Sequence, residues 1–136
     1  MTVAQSMPTE IERRWQENFI VTLQRLMELL ETEEEEDEYG ILKPTDYAFQ
    51  TVIKLLLEAG SLMGSNFPKG SACPDDRGGI RLESTSLESD REVCLVCPFN
   101  SENPVYIYRA TRDNHTSEDV ISASNLVNSL KWFNGE

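Results

Sequence analysis

The chain has 136 residues, a net charge of −12 and a hydrophobic fraction of 39%. This length is typical of one domain, and a domain of this size buries enough surface to form a core. Affinity for nucleic acid depends largely on basic groups that neutralise phosphates, so the acidic balance argues against a nucleic-acid partner and against an anionic membrane surface. It favours a basic protein as partner, or solubility alone as its role.

Membrane insertion and secretion are also disfavoured. No apolar run approaches the ~20 residues that a membrane-spanning helix needs. The stretch MTVAQSMPTE has neither the basic start nor the apolar core of a signal peptide. The three cysteines are an odd number, which suits a reducing compartment without a disulfide framework. We therefore expect a cytoplasmic protein without a membrane partner.

A first helix is predicted after a mobile N-terminus at residues 1–8, with a single α+β domain spanning 9–136. Thr9 and Glu12 have the spacing of a capping box, in which each side chain satisfies a free backbone amide at the helix start. The apolar residues that follow recur every three or four positions and so share one helical face. They are Ile11, Trp15, Phe19, Leu23, Leu26 and Leu30.

The run at residues 31–38 contains seven acids, and like charges at a helix C-terminus oppose the helix dipole. We interpret it as a solvated acidic linker, since charge runs usually are, with regulation or metal binding as alternatives. A second helix is predicted from Pro44, which suits a first helical turn, to Gly64, a natural C-cap. Two amphipathic helices joined by a short polar segment favour an antiparallel helical hairpin.

The stretch 65–79 is rich in proline and glycine, which favour an irregular loop. Long loops are often functional, so this one is either a connector or part of a small-molecule site. Within it, Asp75, Asp76 and Arg77 precede two glycines. They could bind a metal or a basic ligand, or they could form a β-turn in which an Asp side chain bonds the backbone.

Three strands follow, in the segments IRLE, REVCLVC and VYIY. Alternation predicts a half-buried first strand and a central second strand that is apolar on both faces. The second face of this sheet should carry two amphipathic tyrosines, which are common at interfaces and on ordinary exposed sheets alike. Its residues are Arg81, Glu83, Cys94, Val96, Tyr106 and Tyr108.

A last helix is predicted with Thr116 or Ser117 as its cap, acids in its first turn, and Gly135 at its end. The predicted order is α-α-β-β-β-α. The fold class is α+β, with a helical hairpin, a three-stranded antiparallel β-meander and a C-terminal helix.

No catalytic or metal constellation emerges. Cys94 and Cys97 have CxxC spacing, but on a strand they point to opposite faces, whereas a redox pair favours a helix N-terminus. Cys73 is the thiol predicted to be more reactive. His115 could act as a general base, yet no nucleophile is tied to it by a motif. Phosphate-loop, dinucleotide, zincin and nucleophile-elbow motifs are absent from the sequence, so we predict no catalytic residue, metal or cofactor.

The segments LKPTDYAF, LMGSNFPKGSACPDDRGGIRLE, REVCLVCP and YIY resemble small uncharacterised bacterial proteins, mainly cyanobacterial. The resemblance covers about residues 41–110. In that group GGIRLE continues with tryptophan, where this chain has Ser84. The resemblance implies small accessory proteins similar to antitoxin-like partners; the group has no assigned activity, so it implies no catalytic residue. Its matched positions, Gly78, Gly79, Arg81 and Glu83, have no assigned role.

Two functional hypotheses follow. The first is a non-enzymatic protein-binding module that contacts a basic protein or a second copy of itself, with Arg81, Glu83, Tyr106 and Tyr108 as candidate contacts. The second is a small enzyme or ligand-binding domain that uses the 65–79 loop with Asp75, Asp76, Arg77 and His115.

Overall fold

The computed structural model describes residues 10–31 and 43–136, and the side chains of residues 10–16 are not described. Three α-helices are present: α1 at Glu10–Glu28, α2 at Asp46–Met63 and α3 at Ala123–Asn134. Short 3-10 turns follow α1 at Leu29–Glu31 and α2 at Gly64–Asn66. The predicted mobile N-terminus, the capping residue Thr9, the side chains of Glu12, Ile11 and Trp15, and the acidic linker beyond Glu31 lie outside the described parts.

Between α2 and α3 the chain forms a five-stranded antiparallel sheet in which sequence neighbours are also spatial neighbours. The fold class is α+β, as predicted, but the prediction of three strands is wrong. The strands are β1 at Ser71–Pro74, β2 at Ile80–Ser86, β3 at Arg91–Cys97, β4 at Tyr106–Ala110 and β5 at His115–Asp119.

The two additional strands lie at the edges of the sheet. β1 forms inside the predicted 65–79 loop, where Pro74 is tolerated because it ends an edge strand. β5 occupies the segment predicted to start the last helix. That helix instead begins after Ser122, because Asn125 Oδ1 accepts a hydrogen bond from Ser122 N at 3.1 Å and completes a capping box that neither Thr116 nor Ser117 forms. It ends at Gly135, as predicted.

The described helices pack on one face of the sheet, which we call the inner face. Strand residues at alternate positions bury their side chains against α2 and α3. The core combines Val52, Leu56, Leu126 and Leu130 from these helices with Ile80, Leu82, Val93, Leu95, Cys97 and Ile107 from the sheet. Within the described residues, no helix has the length and apolarity needed to cross a membrane.

Helix α1 is held mainly by contacts with β1, at one edge of the sheet, and with the residues just before β1. Thr22 Oγ1 accepts a hydrogen bond from Gly70 N at 2.8 Å, and Arg25 Nη1 donates to Gly70 O at 2.8 Å. The ring of Phe19 packs edge-on against Phe67, with 5.2 Å between ring centroids. α1 also touches α2, but more of its contacts are with β1 and with the turn that follows α2. Within the described residues, the two predicted helices therefore meet over a shorter stretch than a full helical hairpin implies.

Candidate interaction surface

The outer face of the sheet is the face opposite the described helices. The strand register aligns Glu83, Cys94 and Tyr108 in one row across β2, β3 and β4. It aligns Arg81, Val96 and Tyr106 in the adjacent row. The six side chains predicted to share one face therefore do so, because the three predicted strands have the expected alternation.

This face has an apolar floor and an amphipathic rim. Cys94 is fully buried and Val96 is only 8% exposed, although the described helices lie on the opposite side. Neighbouring side chains therefore shield Cys94 and Val96 from solvent. Tyr106, by contrast, remains 36% exposed. A ring that covers apolar neighbours and still reaches solvent is well suited to contact with a protein.

A hydrogen-bond network fixes the rim around Tyr108. Arg81 Nη2 donates to Tyr108 Oη at 3.3 Å, and Tyr108 Oη donates to Glu92 Oε1 at 3.3 Å. Arg81 Nε also lies 3.8 Å from Glu83 Oε1. Side chains held in this way lose less conformational entropy when a partner binds.

Burial keeps the Cys94 thiol and the Tyr108 hydroxyl of this face neutral. It raises the pKa of Cys94 to about 11 and, reinforced by the thiol of Cys94 and the carboxylate of Glu92, the pKa of Tyr108 to about 12. At neutral pH, Tyr108 therefore acts as a hydrogen-bond donor to Glu92, and Cys94 is an apolar thiol rather than a nucleophile.

His115 lies near the tyrosines but at the edge of the sheet. A groove of about 440 Å³ runs between Tyr106, Tyr108 and the β4–β5 turn, and His115 is part of its wall. Arg112 N donates to Asp90 Oδ2 at 2.9 Å, which ties this turn to the β2–β3 turn. The groove extends the outer face toward β5.

Asp75 acts as a turn residue. Its Oδ1 accepts hydrogen bonds from Arg77 N at 2.8 Å and Gly79 N at 2.7 Å. Its own amide donates to Gly79 O at 3.0 Å, and Gly78 adopts a φ of 96° that a side chain would disfavour. This is the geometry of the β-turn interpretation. Asp76 and Arg77 are exposed at its tip.

The structure does not bring Asp75, Asp76 and Arg77 together with His115. The turn follows β1 at one edge of the sheet, and His115 begins β5 at the other edge. The turn also lies at the Ile80–Cys97 end of the strands, whereas His115 lies level with Glu92. With strands ~4.8 Å apart, the two edges are separated by roughly 19 Å. The predicted four-residue constellation is therefore not assembled.

A separate cleft lies beside the first half of the predicted loop. It has a volume of about 570 Å³ and is lined by Asn66, Phe67, Pro68 and Lys69 together with Phe133 and Asn134. The Asp75–Arg77 turn does not contribute to it. In the part of the chain that the structure describes, no group of three His, Cys, Asp or Glu side chains is arranged to hold a metal ion.

Sequence reasoning missed an aromatic anchor on the inner face. The guanidinium groups of Arg91 and Arg109 lie 5.0 and 5.5 Å from the ring centroid of Trp132. Arg91 Nη1 also donates to Trp132 O, and Arg109 Nε donates to Ser129 Oγ at 3.0 Å. One signal was available, because Arg109 occupies an inward position two residues after the buried Ile107.

Comparison of the chain with protein-family models, with curated proteins and with solved structures finds no match.

Proposed function

We propose that this protein is a non-enzymatic protein-binding module and that the outer face of its sheet is the contact surface. The observation that carries the proposal is the exposed Tyr106 beside the fixed Tyr108, above the apolar floor of Cys94 and Val96. Interface cores are enriched in tyrosine and arginine and depleted in other charged residues.

The chemistry of the surface favours a basic partner. Glu83, Glu92 and Asp119 surround the tyrosines, and Arg81 is already paired with Glu83. The chain as a whole carries a net charge of −12. A protein with a basic patch would be steered toward such a surface, whereas nucleic acid would be repelled. The resemblance to small bacterial accessory proteins suggests, within the cytoplasm, an antitoxin-like neutraliser of this kind of partner.

Affinity capture from a bacterial lysate tests the proposal. The bait is the full chain, and the test variant is Tyr106→Ser, which removes exposed aromatic surface. The matched control is Leu87→Ser, because Leu87 is 100% exposed in the β2–β3 turn, away from Val96 and Tyr106. We expect a basic protein to be retained by the wild type and by the control, and lost from the test variant.

The ionic strength of the wash provides a second arm. Attraction between exposed charges is screened over a Debye length of ~8 Å at physiological salt. Retention should therefore fall as salt rises. Capture that is identical for the wild type and Tyr106→Ser, or recovery of the bait alone at native expression levels, would contradict the proposal.

The cleft lined by Asn66 to Lys69 supports a second candidate function, a ligand-binding domain. Its amides and Lys69 offer polar contacts beside the ring of Phe67. Thermal-shift screening with metabolites and metals would detect a ligand, and Asn134→Ala should abolish its shift. If no compound shifts the melting temperature, the ligand-binding candidate is wrong and the protein-binding proposal is unaffected.

A further inference from the structure

One edge of β5 pairs with no other strand among the described residues, and it has its own hydrogen-bonding pattern. Bonded and non-bonded pairs alternate in an antiparallel ladder. Val120 N donates to Val105 O at 2.8 Å, and Thr111 N donates to Asn114 O at 2.8 Å. In the same register, Thr116 and Glu118 make the β5 bonds to β4. The backbone N–H and C=O groups of His115, Ser117 and Asp119 therefore point away from the sheet.

We propose that β5 of one molecule pairs antiparallel with β5 of a second copy, centred on Ser117. In this register Ser117 lies opposite itself, and His115 of each copy lies opposite Asp119 of the other. All three residues carry the outward backbone groups, so every opposed pair of these residues can exchange two hydrogen bonds. Free strand edges in sheets are templates for pairing of this kind.

The side chains of β5 complement one another in the same register. His115 and Asp119 both lie on the outer face, so the pairing sets an imidazole beside a carboxylate at each end of the joined strands. Thr116 lies opposite Glu118, a hydroxyl beside a carboxylate. If one β5 strand slid by two residues along the other so that the pairing centred on Glu118, the Glu118 side chains of the two copies would lie opposite each other. A shift the other way loses the contacts of Asp119 with His115.

Every β5 residue is exposed, so the edge is accessible to a second copy. Pairing would join two sheets into one and place the two tyrosine surfaces side by side. Five residues a side is a small contact, below the ~1,200 Å² of stable interfaces, so the dimer should be weak. The inference goes beyond the proposed function, because it concerns the edge of the sheet and a second copy of the chain.

Sedimentation equilibrium of the full chain tests the inference, with samples from about 10 µM to about 1 mM, the range in which weak interfaces associate. Physiological salt would screen repulsion between two acidic molecules. We expect a monomer–dimer equilibrium. Ser117→Pro removes an N–H that points away from β4, and proline is tolerated at such edge positions. The association constant should fall by about tenfold or more, since the dimer loses one bond from each copy.

Charge exchange makes the register testable. His115→Glu would place two acids opposite each other across the paired strands, and Asp119→Lys would remove the carboxylate opposite the imidazole. Each single variant should therefore weaken association about threefold or more. The double variant sets an acid opposite a base and should return to within about threefold of the wild type. Asp76→Lys is the matched control, because it makes the same charge change as Asp119→Lys at the opposite edge of the sheet, and it should leave association unchanged.

Amide hydrogen exchange supplies an independent readout. Exchange at Ser117 should slow as protein concentration rises, while exchange at Thr116, whose amide is already bonded to β4, should not change. A monomer at every concentration would overturn the inference. So would a dimer that Ser117→Pro leaves intact or that Tyr106→Ser abolishes, since the latter would assign self-association to the outer face. Loss of the captured partner, by contrast, bears only on the proposed function.

Discussion

Gly60 leaves room on α2 for an aromatic ring of α1. A Cβ atom at this position would lie 2.3 Å from Phe19 Cε1. Alanine is otherwise better than glycine in a helix by ~1 kcal/mol, so the packing clash and the helix preference oppose each other. Overpacking usually costs ~1–3 kcal/mol and should dominate here, because Phe19 is itself held against Phe67.

We therefore expect Gly60→Ala to lower the free energy of unfolding by ~1 kcal/mol, as measured by urea denaturation. Ser61, the exposed neighbour of Gly60, offers a control, because Ser61→Ala should change the free energy of unfolding by less than ~0.5 kcal/mol. Removing the ring should reverse the sign, so that Gly60→Ala stabilises a Phe19→Ala background. A stabilising effect in the wild-type background would show that Phe19 does not occupy this space.

Substitutions of the two adjacent acids of the β1–β2 turn should have different effects on the free energy of unfolding. Asp75 accepts bonds from Arg77 N and Gly79 N, so Asp75→Ala leaves two amides without their partner. We expect a loss of ~1–3 kcal/mol in the free energy of unfolding. Asp75→Asn keeps an acceptor oxygen and should lose less. Exposed Asp76→Ala should stay within ~0.5 kcal/mol of the wild type, and equal losses at both positions would refute the turn assignment.

Among the secondary-structure elements, α3 begins at an N-cap, Ser122, that the sequence pattern does not indicate. Ser122 Oγ accepts from Ser124 N at 3.3 Å, and Asn125 bonds back to Ser122 N. Replacing an N-cap serine by alanine costs ~1 kcal/mol. Ser122→Ala should therefore lower the melting temperature, while Ser124→Ala, with its side chain exposed in the first turn, should not. A larger effect of Ser124→Ala would place the cap elsewhere.

Strands with an apolar pattern are predictable from this sequence, and strands without one are not. β2 alternates apolar and polar residues, β3 contains a continuous apolar run, and β4 alternates tyrosines with Ile107, so the pattern of each is visible in the letters. β5 reads HTSED and is exposed on both faces, so neighbouring hydrogen bonds define it instead of burial. Its Thr and Ser followed by acids imitate a helix start.

β1 fails for a related reason. It is four residues long, it ends in Pro74, and it lies among glycines and prolines that normally indicate a loop. It becomes a strand because the bonds of Asp75 turn the chain back onto β2. The candidate surface was predictable for the same reason as the central strands, whereas the distance between Arg77 and His115 depends on two edge strands that the letters do not reveal.

For the whole molecule, the sheet separates an inner face, which the described helices cover, from an outer face, which they do not. All described helices pack on the inner face, where Arg91 and Arg109 hold Trp132 of α3. The outer face keeps its polar groups near the rim and its apolar groups at the centre, which is the arrangement of a surface that gains by being covered. A partner that binds only the folded state would shift the folding equilibrium and so stabilise the protein.

Alkaline pH should destabilise the protein through its buried thiols. Burial raises the pKa of Cys94 to about 11 and that of Cys97 to about 11, from the ordinary value of 9.0. Between these values the unfolded chain has released protons that the folded chain still holds, so stability is lost as pH rises. Below about pH 8 both states are protonated and the thiols cause no pH dependence.

We expect the free energy of unfolding to fall by roughly 2 kcal/mol or more between about pH 8 and pH 11, measured by urea denaturation in a reducing buffer. Burial also raises the pKa of Tyr108, to about 12, which contributes to the same fall, so the thiol variants isolate the cause. Cys94→Ala should start less stable, because it leaves a cavity, yet lose less stability with rising pH. The exposed thiol of Cys73 gives the control, because Cys73→Ser should keep most of the wild-type dependence of the free energy of unfolding on pH. A slope that Cys94→Ala and Cys97→Ala leave unchanged would mean that the thiols ionise as readily in the folded protein as in the unfolded chain.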